Sequence, residues 1–269
     1  MAYVTHFQGK TELTSHDFLK IFKQFDKDGN GFIEAGELDE FLTALWKEGN
    51  KKEVPDSNAI ANMKEEILKK YDDNFDRKID LEELAKILPT EQNFLAQFQN
   101  STELTSVDFF KVWNHYDVDH SGYIDSDELK GFLTDLLGRE GQALTPQRID
   151  DYCTAMLDLF DQNKDGKLSL SEMSKILPVE DNFLRKFKKE NFTDEQFNQI
   201  WSKYDKDGNG FIVDEELEAL IYDLVQKDGG ELDDPEELKK YKDWIMKIHD
   251  TNKDGKIGKD ELKLLLVSQ

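Results

Sequence analysis

An all-α fold is predicted for this 269-residue chain: six helix–loop–helix units in three pairs, with short two-stranded β links between paired loops. Three observations predict it. A segment of about 45 residues recurs six times, an apolar stripe of helical period leads into the strongest copies, and an apolar residue, usually β-branched, holds one fixed place in every intervening loop.

The segments KIFKQFDKDGNGFIEAGEL, KVWNHYDVDHSGYIDSDEL and QIWSKYDKDGNGFIVDEEL are variants of one another, and three weaker copies alternate with them. The first aspartates of the six loops are Asp26, Asp72, Asp117, Asp161, Asp205 and Asp250, separated by 46, 45, 44, 44 and 45 residues. A second period is twice as long. LPTEQNFLAQF at Leu88 and LPVEDNFLRKF at Leu177 lie 89 residues apart, and TELTS occurs at Thr11 and Thr102. All five prolines obey this period, Pro55, Pro146 and Pro235 in one frame and Pro89 and Pro178 in the other. The unit of organisation is therefore a pair of repeats, expected at residues 1–98, 99–187 and 188–269.

Each odd repeat opens with a helix. Its apolar face is Phe18, Ile21, Phe22 and Phe25 in the first, Phe109, Val112, Trp113 and Tyr116 in the third, and Phe197, Ile200, Trp201 and Tyr204 in the fifth. The i, i+3, i+4, i+7 spacing puts these residues on one face, expected to be core rather than a ligand pocket. Thr14 with Asp17, Thr105 with Asp108 and Thr193 with Gln196 have capping-box spacing. After each loop an acid and an apolar residue, such as Glu37-Leu38 or Glu172-Met173, open the second helix. Turn residues around Gly49, Gly138 to Gly141 and Gly229-Gly230 separate the two units of a pair.

Composition narrows the function. With 35 basic and 58 acidic side chains the formal charge is −23, so nucleic-acid phosphate and anionic lipid are repelled. The single cysteine, Cys153, excludes an intramolecular disulfide and fits a reducing compartment. No stretch approaches a membrane span and the first ten residues lack an apolar signal region, so a cytoplasmic protein is expected. The sequons at Asn100 and Asn191 are then chance matches.

The loops carry the chemistry. Oxygen side chains fall at alternate positions, followed by glycine at position 6 and glutamate at position 12. A hard divalent cation explains this spacing: Ca²⁺ takes six to eight oxygens, from positions 1, 3 and 5, the carbonyl of 7, a water held at 9 and a bidentate Glu at 12. Loop one offers Asp26, Asp28, Asn30, the Phe32 carbonyl, Glu34 and Glu37. Loop three offers Asp117, Asp119, Ser121, the Tyr123 carbonyl and Glu128. Loop four offers Asp161, Asn163, Asp165, the Lys167 carbonyl, Ser169 and Glu172. Loop five offers Asp205, Asp207, Asn209, the Phe211 carbonyl and Glu216, and loop six Asp250, Asn252, Asp254, the Lys256 carbonyl and Glu261. Loops one, four, five and six match the strict pattern, and loop three differs only by Ser121 at position 5. A strict match arises by chance about once in several hundred to a thousand chains of this length, so four in register exclude a merely solvated acidic coat.

Loop two is a sixth, weaker candidate. It keeps Asp72, Asn74, Asp76, the Lys78 carbonyl, Asp80 and Glu83, but Arg77 replaces glycine at position 6. A side chain forced to positive φ costs about 1–2 kcal/mol, and Arg77 brings a positive charge to the loop. Loop five has Val213 at position 9, which cannot hold the bridging water. Position 8 is Ile33, Ile79, Ile124, Leu168, Ile212 or Ile257, suited to a short strand that joins loops one with two, three with four, and five with six.

These loops resemble those of the EF-hand proteins. Six of them over the whole chain, with LPTEQNFL and LPVEDNFL between pairs, resemble the calbindin, calretinin and secretagogin group. The resemblance implies an intracellular calcium buffer with sensor roles, folded as one globular unit. The chain departs from calbindin and calretinin at its sixth hand, usually degraded there and intact here. Five Ca²⁺ sites are expected, six if loop two binds, with Mg²⁺ as a competitor.

Buffering and sensing are both open. A promiscuous target-binding groove is usually rich in methionine; here Met63, Met156, Met173 and Met246 sit singly, which favours a monomeric buffer over a sensor that grips target proteins. Catalysis is not expected, since no nucleophile elbow, phosphate loop or zinc motif occurs. His115 and His120, flanking the start of loop three, read as solvent-exposed loop residues, and Cys153 as core. At ligand positions 1, 3, 5, 9 and 12 sit 21 of the 58 acids, so the charge that excludes polyanions is mostly binding-site charge.

Overall fold

The computed structural model describes residues 7, 9–49, 55–98, 103–139, 144–187 and 193–267. Among them are twelve α-helices, which flank the six loops two by two. Loop one lies between α1 (Ser15–Phe25) and α2 (Ala35–Gly49), loop two between α3 (Ser57–Tyr71) and α4 (Leu81–Ala85), and loop three between α5 (Ser106–Tyr116) and α6 (Ser126–Arg139). Loop four joins α7 (Pro146–Phe160) to α8 (Leu170–Met173), loop five joins α9 (Asp194–Tyr204) to α10 (Asp214–Lys227), and loop six joins α11 (Pro235–His249) to α12 (Lys259–Val267). Gly138 lies within α6 rather than in a linker, while Asn100, Asn191 and Gly141 lie outside the described residues.

The helix starts follow from their caps. The Thr105 hydroxyl accepts from Asp108 N at 3.1 Å while Asp108 accepts from Thr105 N at 3.3 Å. Thr193 and Gln196 repeat this box at 3.2 and 3.0 Å. At α1 only half of it forms. Thr14 accepts from Asp17 N at 3.2 Å, but the Asp17 carboxylate pairs with Lys10 and the Thr14 hydroxyl instead of turning back to the backbone.

All twelve residues of the three odd-helix stripes are buried. The residue after each position-12 glutamate (Leu38, Leu84, Leu129, Met173, Leu217, Leu262) is buried too, as is every position-8 residue. The position-8 residues pair loops back to back. Ile33 and Ile79 exchange backbone hydrogen bonds of 2.8 and 3.1 Å, and Ile124 and Leu168 exchange bonds of 2.9 and 2.8 Å. In the last pair the link is a two-stranded antiparallel sheet, β1 (Phe211–Ile212) with β2 (Ile257–Gly258).

The doubled period has a structural cause. α4 and α8 are only five and four residues long, because Pro89 and Pro178 follow closely, and proline lacks an N–H and pushes its predecessor out of the helical region. The chain then runs extended beside the TELTS segment. Leu13 N donates to Pro89 O at 2.7 Å and Glu91 N to Leu13 O at 3.0 Å. Leu104 N donates to Pro178 O at 2.6 Å and Glu180 N to Leu104 O at 2.8 Å.

The chain divides into two compact units, Met1–Gln97 with Ser126–Met156, and Phe98–Asp125 with Leu157–Gln269. In the first, α1 packs on α6. The Ser15 hydroxyl donates to the Asp135 carboxylate at 2.6 Å, and the Asn93 amide to the Asp135 carbonyl at 2.5 Å. In the second, α5 packs on α10 around the rings of Phe109, Phe110 and Tyr222. The same latch recurs, with Ser106 donating to Asp223 at 2.8 Å and the Asn182 amide to the Asp223 carbonyl at 2.7 Å. Tyr204 adds a third bond to Asp223 at 2.6 Å. Burial pushes the Asp223 carboxyl up to about 6, against the pull of the Tyr204 and Ser106 hydroxyls.

Two minor expectations resolve differently. Cys153 is buried, its thiol 3.5 Å from the Ser126 carbonyl. His120 is exposed, but His115 belongs to α5 rather than to the loop, stacks edge-on against Tyr116, and is pushed down to about 4 by burial. Helical phase, not nearness to loop three in sequence, decides its environment. No helix among the described residues is long and apolar enough to cross a membrane.

Candidate metal centres

Each loop is wound by its own oxygen side chains. The position-3 side chain accepts from the position-5 backbone N–H at 2.9–3.1 Å in all six loops. The position-5 side chain accepts from the position-7 N–H, at 2.8–3.0 Å except for the Ser121 hydroxyl at 3.4 Å. Position 1 closes the turn: Asp26, Asp72, Asp117, Asp161 and Asp250 accept from the position-6 N–H at 2.8–3.0 Å. These Asx-type turns hold the oxygens of positions 1, 3 and 5 against the backbone N–H groups of their own loop.

This winding requires two left-handed residues per loop. Position 6 has φ between 63° at Arg77 and 87° at Gly31. Position 4 is left-handed as well: Gly29, Phe75, His120, Lys164, Gly208 and Lys253 have φ between 54° and 70°. Sequence reasoning missed this requirement, although the first glycine in the DGNG of loops one and five signals it.

Position 12 folds back over the loop. One oxygen of Glu37, Glu83, Glu172, Glu216 and Glu261 accepts from the position-2 N–H at 2.7–2.9 Å. The other oxygen accepts from the position-9 N–H at 2.9–3.3 Å in loops one, two, four and six. In loops two and four the glutamate also completes a capping box with Asp80 or Ser169, so one side chain both starts the exiting helix and faces the loop. Loops one and five lack such a cap, Glu34 and Val213 standing at position 9. Their position-10 residues, Ala35 and Asp214, are left-handed at φ 45° and 43°.

Three sets of carboxylates converge. In each of Asp26/Asp28/Glu37, Asp117/Asp119/Glu128 and Asp205/Asp207/Glu216, one oxygen from every residue lies within 4.8 Å of the others. These are the odd loops, with aspartate at position 3; the even loops carry Asn74, Asn163 and Asn252 there, whose amides donate to the position-5 aspartate at 2.9–3.1 Å. Burial pushes the Asp26, Asp117, Glu83 and Glu216 carboxyls above the ordinary range, against the pull of surrounding N–H groups. At Glu261 burial pushes the same way, but bonds from Gly258, Thr251 and Asn252 outweigh it and hold the carboxyl below that range. Glu216 Oε2 is buried and accepts no hydrogen bond. A buried carboxylate oxygen without a donor, beside two aspartates, fits a hard divalent cation.

Loop two has the same skeleton as the others. Arg77 takes the left-handed conformation and its N–H donates to Asp72 at 2.8 Å. Its guanidinium is paired with Glu65 on α3, so much of the positive charge expected to oppose a cation is offset. Loop five is wound more loosely: Asp205 accepts from Gly210 N at 3.4 Å.

Position 7 carries a second signal that sequence reasoning passed over. It alternates aromatic and lysine, and across each pair the lysine lies over the ring. Lys78 is 4.8 Å from the Phe32 centroid, Lys167 is 5.7 Å from Tyr123 and Lys256 is 4.6 Å from Phe211. Each contact contributes about 0.5–1 kcal/mol to pairing at an exposed edge.

Four stretches, residues 17–88, 107–177, 153–222 and 194–266, the last three overlapping, match the EF-hand domain pair. Calretinin of Rattus norvegicus is 44% identical, over 96% of this chain and 94% of that protein. Calbindin of Gallus gallus is 40% identical over 100% of this chain and 99% of that protein. Calbindin-32 of Drosophila melanogaster is 40% identical over 96% and 86%, respectively.

Proposed function

The chain belongs to the EF-hand family of calretinin and calbindin and is a calcium-binding protein, and from that premise we propose that it is a non-catalytic, monomeric buffer of cytosolic Ca²⁺. The observation that supports buffering is the recurrence of one oxygen cradle in all six loops, with loop-to-loop links within the pairs. High capacity follows from many similar sites rather than from one specialised site.

In this reading loops one, three, four, five and six each hold one Ca²⁺, through the position 1, 3, 5, 7 and 12 residues named above. Loop two is a sixth and weaker site. The loop pairs of residues 1–98, 99–187 and 188–269 are the units of binding. Five bound ions bring the formal charge from −23 to −13, relieving repulsion among the acids. Mg²⁺ demands a tighter octahedral shell, so it competes without replacing Ca²⁺ at the bidentate glutamates. Calorimetric titration with Ca²⁺, with and without Mg²⁺, tests the proposal. Fewer than four sites tighter than about 10⁻⁵ M would sink it.

One observation favours sensing as a second reading. Tyr241, Trp244 and Ile248 are 43%, 47% and 50% exposed on one face of α11. A calcium-dependent surge in hydrophobic-dye binding, with capture of target peptides, would make the sensor role primary. Little dye response would leave buffering alone.

A further inference from the structure

Glycine at position 6 meets a different neighbour in different loops. A Cβ added to Gly166, Gly210 or Gly255 would touch nothing within 4 Å. A Cβ on Gly31 would lie 3.6 Å from Pro146 Cδ, in the first unit. A Cβ on Gly122 would lie 2.3 Å from both Cβ and Cγ of Pro235, in the second unit. Pro146 and Pro235 occupy the same frame of the proline period, and each covers an odd loop of the preceding pair. At loop three the cover is close enough that only glycine fits beneath the ring.

Pro235 is the first residue of α11, where its fixed φ and missing N–H cost nothing, and Asp234 caps the helix by accepting from Glu236 N at 2.9 Å. At its other end α11 is capped by Asp250, position 1 of loop six. A 15-residue helix, about 22 Å long, thus runs from the ring above Gly122 to the first oxygen ligand proposed for site six. A polar bridge ties the same elements. Glu218 on α10 accepts from Asn114 of α5 at 2.9 Å and from Lys242 of α11 at 3.1 Å.

We propose that Pro235 is a positioning residue for calcium site three and that, through α11, it couples site three to site six, although the two belong to different pairs. Whatever loop conformation calcium favours at Gly122 must be compatible with the ring above it, and the ring moves with the helix that ends on Asp250. Coupling between binding sites is reciprocal, so each site senses the occupancy of the other. The proposal rests on the reading of loops three and six as calcium sites.

The test uses the full chain and two site-specific probes. Gly122 N donates to Asp117 and Gly255 N to Asp250, both at 2.9 Å, so their amide NMR signals follow sites three and six separately during a calcium titration. Glu261→Gln disables site six. It should weaken site three by about fivefold in the otherwise unchanged chain and by less than twofold when Pro235→Ala is also present. A Gly122 midpoint that ignores Glu261→Gln, or a shift that survives Pro235→Ala undiminished, overturns the coupling. If neither glycine signal responds to calcium in the unchanged chain, the calcium-site reading fails and takes the coupling with it, a result distinct from the other two. The positioning role has its own readout. Gly122→Ala should weaken site three more than Gly210→Ala weakens site five, because both pay for positive φ and only the first meets a ring. Pro235→Gly should recover the excess; equal weakening at the two sites overturns it.

Discussion

Replacing Arg77 by glycine should tighten calcium binding at loop two by about two- to fivefold. Arg77 holds φ at 63°, and a residue with a Cβ in that region costs about 1–2 kcal/mol. Glycine removes that strain but gives back about 0.5–1 kcal/mol through its greater freedom when the loop is open. The balance of about 0.5–1 kcal/mol corresponds to the stated gain, to the extent that calcium holds the loop closed and the free loop relaxes. Charge contributes less. The guanidinium pairs with Glu65, and the two side chains are 63% and 64% exposed, where solvent and salt screen them. Arg77→Gln, which removes the charge and keeps the strain, should therefore change affinity by less than about twofold. The assay is a calcium titration followed at the residue-77 amide, whose N–H donates to Asp72 at 2.8 Å. Equal gains from glycine and glutamine would show that charge, not backbone strain, limits this loop. No gain from glycine would refute the strain reasoning outright.

Glu128→Gln should abolish binding at site three, seen as a lost response at Gly122, and weaken site six only by the reciprocal coupling factor, while circular dichroism stays unchanged because the Ile124–Leu168 link is backbone-made. Asp223→Ala should destabilise the protein by about 2–4 kcal/mol in chemical denaturation, since it strands the buried hydroxyls of Ser106 and Tyr204; a loss under 1 kcal/mol would contradict the latch. The calcium-induced rise in Tm should shrink as pH falls from about 7 toward 4.5. Burial raises the carboxyl pKa of Asp26, Glu83, Asp117 and Glu216. Their protonated forms therefore favour the calcium-free fold at pH below the unfolded carboxylate range, and that contribution is lost as pH rises through the raised folded values. Calcium requires the opposite, deprotonated form. Calorimetry in calcium and in chelator across this range checks the sign, and a pH-independent calcium increment would be inconsistent with it.

The six loops, their alternating oxygen side chains, the back-to-back pairing through position 8 and the helix faces that form the core are all legible in the residues alone. These are local properties: an Asx turn such as Asp28 to Asn30 closes over two residues, and the stripe from Phe18 to Phe25 lies on one helix. The left-handed residue at position 4 was equally local but masked, because Phe75, Lys164 and Lys253 fill it where a glycine would have announced it. The remaining features are set by how distant elements meet. The sequence showed that TELTS and LPTE recur with the longer period; that they pair as parallel segments depends on α4 stopping short of Pro89. It showed that Pro146 and Pro235 share a frame; that they cover glycines more than a hundred residues earlier depends on where the first residues of α7 and α11 come to lie. It showed Asp135 and Asp223 as acids in apolar helices; that Ser15 and Ser106 satisfy them depends on which helix faces meet. Ligand spacing is set by the stereochemistry of one short loop, whereas these contacts join residues far apart in sequence, and no local pattern specifies which distant partner a surface will find.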